Sequence, residues 1–175
     1  MHEYGMILLA SLLLLAAWQD IRSYRIPNSL VLTGWIAGLV WNGVMPATMG
    51  GLGLQAALLG WVTGLLVLMP LYLLRAMGAG DVKLMAMVGA FVCSAAMLGV
   101  TLYVLIAGGV LAIGISLLRG RLTQVFDTLK LTLLLGMAKS PQWRMPIETA
   151  ATQAGHRMPY GVAIACGTLF YLLTA

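Results

Sequence analysis

Residues 84–118 read LMAMVGAFVCSAAMLGVTLYVLIAGGVLAIGISLL, an uninterrupted apolar stretch without one charged side chain. Whether it forms one long helix or two short ones decides the number of membrane crossings, and the flanking charges settle the choice. Apolar runs elsewhere suggest spans at residues 4–19, 29–44, 54–74 and 158–175. If residues 84–118 divide into spans 84–98 and 100–118, turning near Gly99, every basic residue falls on one side of the membrane. Arg22 and Arg25 lie in the first connection, and Arg75 and Lys83 in the next. The third holds Arg119, Arg121, Lys130, Lys139, Arg144 and Arg157. A single long span would split these ten residues four against six. The positive-inside rule therefore predicts an all-α, polytopic membrane bundle of six helices, with both termini extracytoplasmic and three cytoplasmic connections.

Composition agrees. Of 175 residues, 61% are hydrophobic and 9% charged, and the mean hydropathy is +0.97. A water-soluble domain of this size needs far more surface charge. The net charge of +5 does not imply nucleic acid, because the basic residues form no dense tract and alternate with apolar runs. Cys93 and Cys166 both stand inside apolar runs, with no CxxC pair and no metal-ligand spacing. They are expected to pack as small buried hydrophobes, and neither a metal nor another cofactor is expected. Met6–Trp18 follows an N-terminal stretch with an acid and no Lys or Arg, so it reads as a retained first span rather than a signal peptide. The whole of 1–175 is expected to be a single membrane-embedded domain. The connections near Asn42–Gly53 and Ser94–Gly99 are uncharged, as short external turns would be. Gly34-x-x-x-Gly38 and Gly60-x-x-x-Gly64 offer small faces for close helix approach. In the long third connection, Leu122, Val125, Phe126, Leu129, Leu133 and Met137 recur at helical spacing beside Arg121, Lys130 and Lys139. That pattern fits an amphipathic helix on the inner leaflet, with membrane lipid as its partner, or a partly buried helix.

Two of the five acids are unusual in their setting. Asp20 ends the first span, in Asp20-Ile-Arg-Ser-Tyr-Arg-Ile-Pro-Asn28, and Asp81 opens the fourth, in Gly78-Ala-Gly-Asp81-Val-Lys83. Ionisable groups next to hydrocarbon are costly and usually functional. The predicted topology puts both at the same membrane depth, so helix packing can join them. Two adjoining carboxyls are the minimum equipment for aspartyl-type hydrolysis. Each also has a structural reading: Asp81 as an N-cap, and Asp20 as a partner for Arg22 or Arg25. Glycines flanking Ala79 permit close backbone approach of a substrate chain. Glu3, Asp127 and Glu148 lack such surroundings, and Glu3 is on the other side.

Taken together, Gly78-Ala79-Gly80-Asp81 (a GxGD signature), Asp20 followed by Ile26-Pro27-Asn28, and the C-terminal Arg157-Met-Pro-Tyr-Gly-Val-Ala-Ile-Ala165 resemble the type IV prepilin peptidases. The similarity is to their short, Flp/Tad-type branch and extends over essentially the whole chain. The resemblance implies a metal-independent aspartyl endopeptidase of the bacterial inner membrane that removes the basic leader of prepilins or pseudopilins. Asp20 and Asp81 would be catalytic and face the cytoplasm. Asn28, Gly78, Gly80, Lys83, Pro159, Tyr160 and Gly161 would bind substrate or hold the motif. Longer relatives also N-methylate the product and carry a cysteine-rich cytoplasmic segment. The cysteines of that segment are missing here, so methyl transfer is not expected.

Other readings compete. A non-enzymatic transporter or secretion-system assembly component would use the aspartates for ion coupling or structure. A GxGD intramembrane protease with non-pilin substrates would cut within the hydrocarbon. Coupling acids, however, belong near the midplane at broken helices, whereas these stand at the edge. Helix dipoles further suggest that Asp81, near a helix N-terminus, is the more acidic member, with Asp20 as the proton donor.

Overall fold

A computed structural model describes residues 3–46, 51–74, 77–118 and 159–174. Among these the chain forms six helices, as expected: α1 (Glu3–Ser23), α2 (Asn28–Val44), α3 (Leu54–Leu73), α4 (Ala79–Val92), α5 (Ser94–Leu118) and α6 (Tyr160–Thr174). Stretches within α1, α3 and α5 are long and apolar enough to cross a membrane: Tyr4–Ser23, Leu54–Leu73 and Ser94–Ile115. Their large apolar side chains, such as Leu14, Leu66 and Leu102, point outward, as lipid-facing residues do. The amphipathic pattern at 122–137 and the acids Asp127 and Glu148 lie outside the described residues.

The apolar stretch does divide in two, but at Cys93 rather than near Gly99. Cys93 adopts φ +78, in the left-handed half of backbone space that ends helices, and its N–H closes the last turn of α4 on the Gly89 carbonyl at 3.2 Å. Gly99 instead lies within α5, where a Cβ would stand 2.6 Å from the Tyr171 ring of α6. It is a packing glycine. The earlier break leaves α4 with 14 residues, about 21 Å at 1.5 Å per residue. This is shorter than a hydrocarbon core of about 30 Å, so α4 falls short of the full span expected for it.

That short helix is the centre of the bundle. Every residue from Asp81 to Val92 except Lys83 is buried, and α3, α2 and α6 all pack against it. Helices surround it this closely because their contact faces are glycine. Gly34 of α2 lies against Met87, and Gly38 against Phe91 and Ala90. From α3, Gly60 meets the Gly89 backbone and Gly64 would place a Cβ 2.5 Å from the Met85 carbonyl oxygen. Both small-residue motifs seen in the sequence therefore clasp one helix, the α3 motif against its backbone and the α2 motif against its side chains.

A polar clamp closes the far end of α2. The buried Asn42 donates from Nδ2 to the Ala90 carbonyl at 2.8 Å and the Gly38 carbonyl at 3.2 Å. Its Oδ1 accepts the Leu52 N–H at 3.1 Å. One side chain thus joins α2, α4 and the α2–α3 connection.

The two cysteines diverge from expectation. Both are free, Cys93 is half-buried, and Cys166 is exposed on the outer face of α6. It packs against no core.

These contacts predict opposite outcomes for two glycine substitutions. Gly60→Ala should lower the thermal midpoint in detergent, since overpacking typically costs about 1–3 kcal/mol. Gly109→Ala, whose Cβ would meet nothing within 4 Å, should leave the midpoint unchanged or raise it. Differential scanning fluorimetry of the purified variants checks both.

Candidate active site

The first aspartate is positioned by the way α1 stops. Tyr24 takes a positive φ of 51 and its N–H returns to the Asp20 carbonyl at 2.9 Å. Ser23 Oγ bonds the Gln19 carbonyl at 2.8 Å and the Arg25 carbonyl at 3.1 Å. Asp20 therefore stands in the last turn of α1. The chain then reverses through Ile26-Pro27, where Pro27 (φ −65, ψ 134) starts α2. Arg22, a candidate partner for Asp20, instead lies over the Trp18 ring, 5.5 Å from its centroid.

The second aspartate sits in the first turn of α4. The helix begins at Ala79, so Asp81 is not its N-cap but its third residue. It still caps: Oδ2 accepts the Gly78 N–H at 3.1 Å, while the Asp81 N–H bonds the Gly78 carbonyl at 3.2 Å. Gly78 leaves room for this, since a Cβ there would lie 3.2 Å from Oδ2. Gly80 is less crowded, its nearest neighbour for a Cβ being Ile26 at 3.5 Å. The Ile-Pro-Asn segment and the GxGD turn thus pack on each other.

Both carboxyls are removed from solvent, Asp20 with 5% and Asp81 with 9% of its surface exposed. Although 61 positions separate them, the Asp20 and Asp81 side chains interact electrostatically. Two buried acids that sense each other cannot both ionise at low cost, so such a pair tends to hold one proton between them.

A third element reaches the pair. α6 starts at Tyr160 immediately after Pro159, and the Gly161 N–H donates to Asp20 Oδ2 at 2.7 Å. The adjoining Tyr160 phenol interacts electrostatically with Asp81, and its ring edge lies beside Gly108 of α5. Asp20 thus faces a helix N-terminus just as Asp81 occupies one. The dipole contrast expected from α1 and α4 alone is offset, because α6 supplies the favourable end that α1 lacks. A prolyl residue ahead of an apolar run marked this helix start in the sequence; the carboxylate it would address was not legible there.

Asn28 and Lys83 are brought together too. Lys83 Nζ donates to Asn28 Oδ1 at 3.1 Å on the exposed side of the α2–α4 contact. Trp35 Nε1 donates to the Lys83 carbonyl at 3.0 Å, an anchor that sequence reading missed. Its T-shaped contact with Trp61, at 5.3 Å between centroids, ties α3 into the same corner. Among the described residues no group of three or more His, Cys, Asp and Glu converges to hold a metal ion.

Comparison with known proteins bears on this site. Residues 7–113 match the family described as the type IV leader peptidase family, a range that includes both aspartates. Over 122 residues the chain is 33% identical to the prepilin leader peptidase/N-methyltransferase of Myxococcus xanthus (strain DK1622), covering 66% of this chain and 35% of that relative. The chain spans about a third of that relative's length. No solved structure matches.

Proposed function

The chain belongs to the type IV leader peptidase family, and from that premise we propose that it is a membrane aspartyl endopeptidase that removes the leader of prepilins or pseudopilins. The observation that carries this reading is the pair itself. Asp20 and Asp81, far apart in sequence, are both buried where α1 ends and α4 begins, near enough for Asp81 to sense the charge of Asp20. The membrane location rests on the apolar helices. We further propose that residues 1–175 act as one domain of the bacterial inner membrane with the pair facing the cytoplasm. The substrates would be Flp/Tad-type, cut at the membrane boundary. The basic residues clustered on one predicted side support that orientation, and the scissile bond of a chain with a basic leader and an apolar helix would meet the pair there.

The chemistry follows from two carboxyls and one shared proton. The ionised member removes a proton from water as the oxygen attacks the scissile carbonyl carbon. The protonated member donates to the carbonyl oxygen, stabilising the tetrahedral intermediate. As the intermediate collapses the C–N bond breaks, the departing amine takes the proton that the base drew from water, and the other carboxylate recovers its proton from a hydroxyl of the intermediate, which returns the pair to its starting state. Lys83 and Asn28, bonded on the exposed side, stand where they can contact the substrate backbone or its carboxylates. Proteolysis without methyl transfer is part of the same proposal, residues 1–175 holding two cysteines, Cys93 and Cys166.

Co-expression with a candidate prepilin, followed by N-terminal sequencing of the product, tests the assignment. Asp20→Asn and Asp81→Asn should each reduce cleavage by about 10²-fold or more while membrane insertion stays normal. Processing at wild-type rates by either variant would favour a transport or assembly role for the pair. Product termini inside the apolar helix would point instead to a protease that cuts within the membrane.

A combined Cys93→Ala, Cys166→Ala protein should keep full activity, and chelators should leave the rate unchanged. Loss of cleavage at normal protein levels in either experiment would contradict the two-carboxyl mechanism.

A further inference from the structure

The first turn of α6 brings the Tyr160 phenol towards Asp81 and a main-chain N–H to Asp20 Oδ2 at 2.7 Å. A helix leaves its first N–H groups without intrahelical acceptors. In α6 the Val162 N–H turns back to the Pro159 carbonyl at 3.2 Å, while the Gly161 N–H reaches out of the helix to Asp20 Oδ2 at 2.7 Å. The space around Gly161 is set by the same residue. A Cβ there would lie 2.8 Å from Asp20 Oδ2, 3.1 Å from its Cβ and 3.2 Å from its Cγ, these being its three nearest neighbours.

Neither partner is free to retreat. Asp20 is fixed in the last turn of α1 and almost wholly buried. Farther along α6, Gly167 meets the α5 backbone, where a Cβ would stand 2.5 Å from Val104 Cα. Tyr171 packs on Tyr103 with ring centroids 5.6 Å apart. α6 is thereby seated on α5 along its length, and its N-terminus is presented to Asp20 at a fixed height.

We propose that Gly161 is a positioning residue for the Asp20 carboxylate: its N–H fixes Oδ2, and its missing Cβ is the space that the carboxylate needs. The inference rests on the aspartyl peptidase reading and assigns to the C-terminal segment, which lies beyond the family-matched residues 7–113, the task of holding one catalytic acid in register with the other.

The experiment pairs kinetics with a stability cycle. Purified Gly161→Ala should cleave a prepilin with kcat lowered about 10²-fold, the scale of a misplacement near 1 Å, and with KM within about twofold of wild type. In parallel, the melting temperatures of wild type, Gly161→Ala, Asp20→Ala and the double variant are compared. Gly161→Ala should lower the melting temperature in the Asp20 background and cost little or nothing once the carboxylate is gone. If Gly161→Ala alone fails to accumulate, recovery of a folded protein in the double variant meets the same expectation, and failure to recover overturns it. An unchanged kcat, a change confined to KM, or an equal stability loss in both backgrounds would also overturn the proposal. If wild type itself does not cleave the prepilin, the peptidase reading fails, while the melting cycle still decides whether the carboxylate is what excludes a side chain at 161.

Discussion

The close enclosure of α4 by glycine-bearing helix faces is the constraint on which the rest of the structure depends. A helix carrying an aspartate into an apolar bundle must be held without slack, because an acid that drifts out of contact with its partners is a buried charge without compensation. Side chains of ordinary size would leave α4 about 8–10 Å from its neighbours. The glycines at 60 and 64 remove that spacer on the α3 side, where main chain meets main chain, and those at 34 and 38 let α2 receive the Met87 and Phe91 side chains of α4. With α4 fixed, its first turn fixes Asp81, and the Gly78 N–H fixes the carboxylate orientation.

Much of this was legible in the sequence, for reasons that differ by residue. Helix number followed from hydropathy and charge, which act along the whole chain and tolerate errors of several residues. The break within residues 84–118 was harder to place. Gly99 looked like the turn because glycine usually supplies left-handed backbone, but Cys93 adopts it instead, and nothing local to Cys93 announces this. Asp20 and Asp81 stood out because acids are rare in so apolar a chain. The Gly161 contact did not, since a backbone N–H is present at every non-proline residue and only tertiary packing decides which one meets a carboxylate. The same holds for Trp35, whose bond to the Lys83 carbonyl spans elements that sequence spacing cannot relate.

Polar groups inside the bundle follow one pattern. Asn42, Asp20 and Asp81 are all buried, and the hydrogen-bond partners described for them are main-chain groups. Main-chain donors and acceptors at helix ends are already held in place, so a side chain that satisfies them gains a bond without ordering a second flexible group. Asn42 does this at one end of α4 and Asp81 at the other. The central helix is therefore fixed by polar contacts at its two ends and by glycine contacts between them.

Helix length completes the argument about the site. α1 has 21 residues, about 31 Å, and matches a hydrocarbon core near 30 Å, whereas α4 has 14, about 21 Å. The first turn of α4 holds Asp81, and the first turn of α6 reaches Asp20. Gly78 ahead of α4 and Pro159 ahead of α6 are non-helical backbone, and the turns they lead into carry Asp81 and the Gly161 N–H that meets Asp20. Peptide hydrolysis needs water and an extended substrate backbone at the same place, and neither reaches an acid in the middle of a full-length helix. On the proposed function, water and the substrate backbone would be met where the first turns of α4 and α6 adjoin the last turn of α1, because there the acids stand at helix ends rather than within helices.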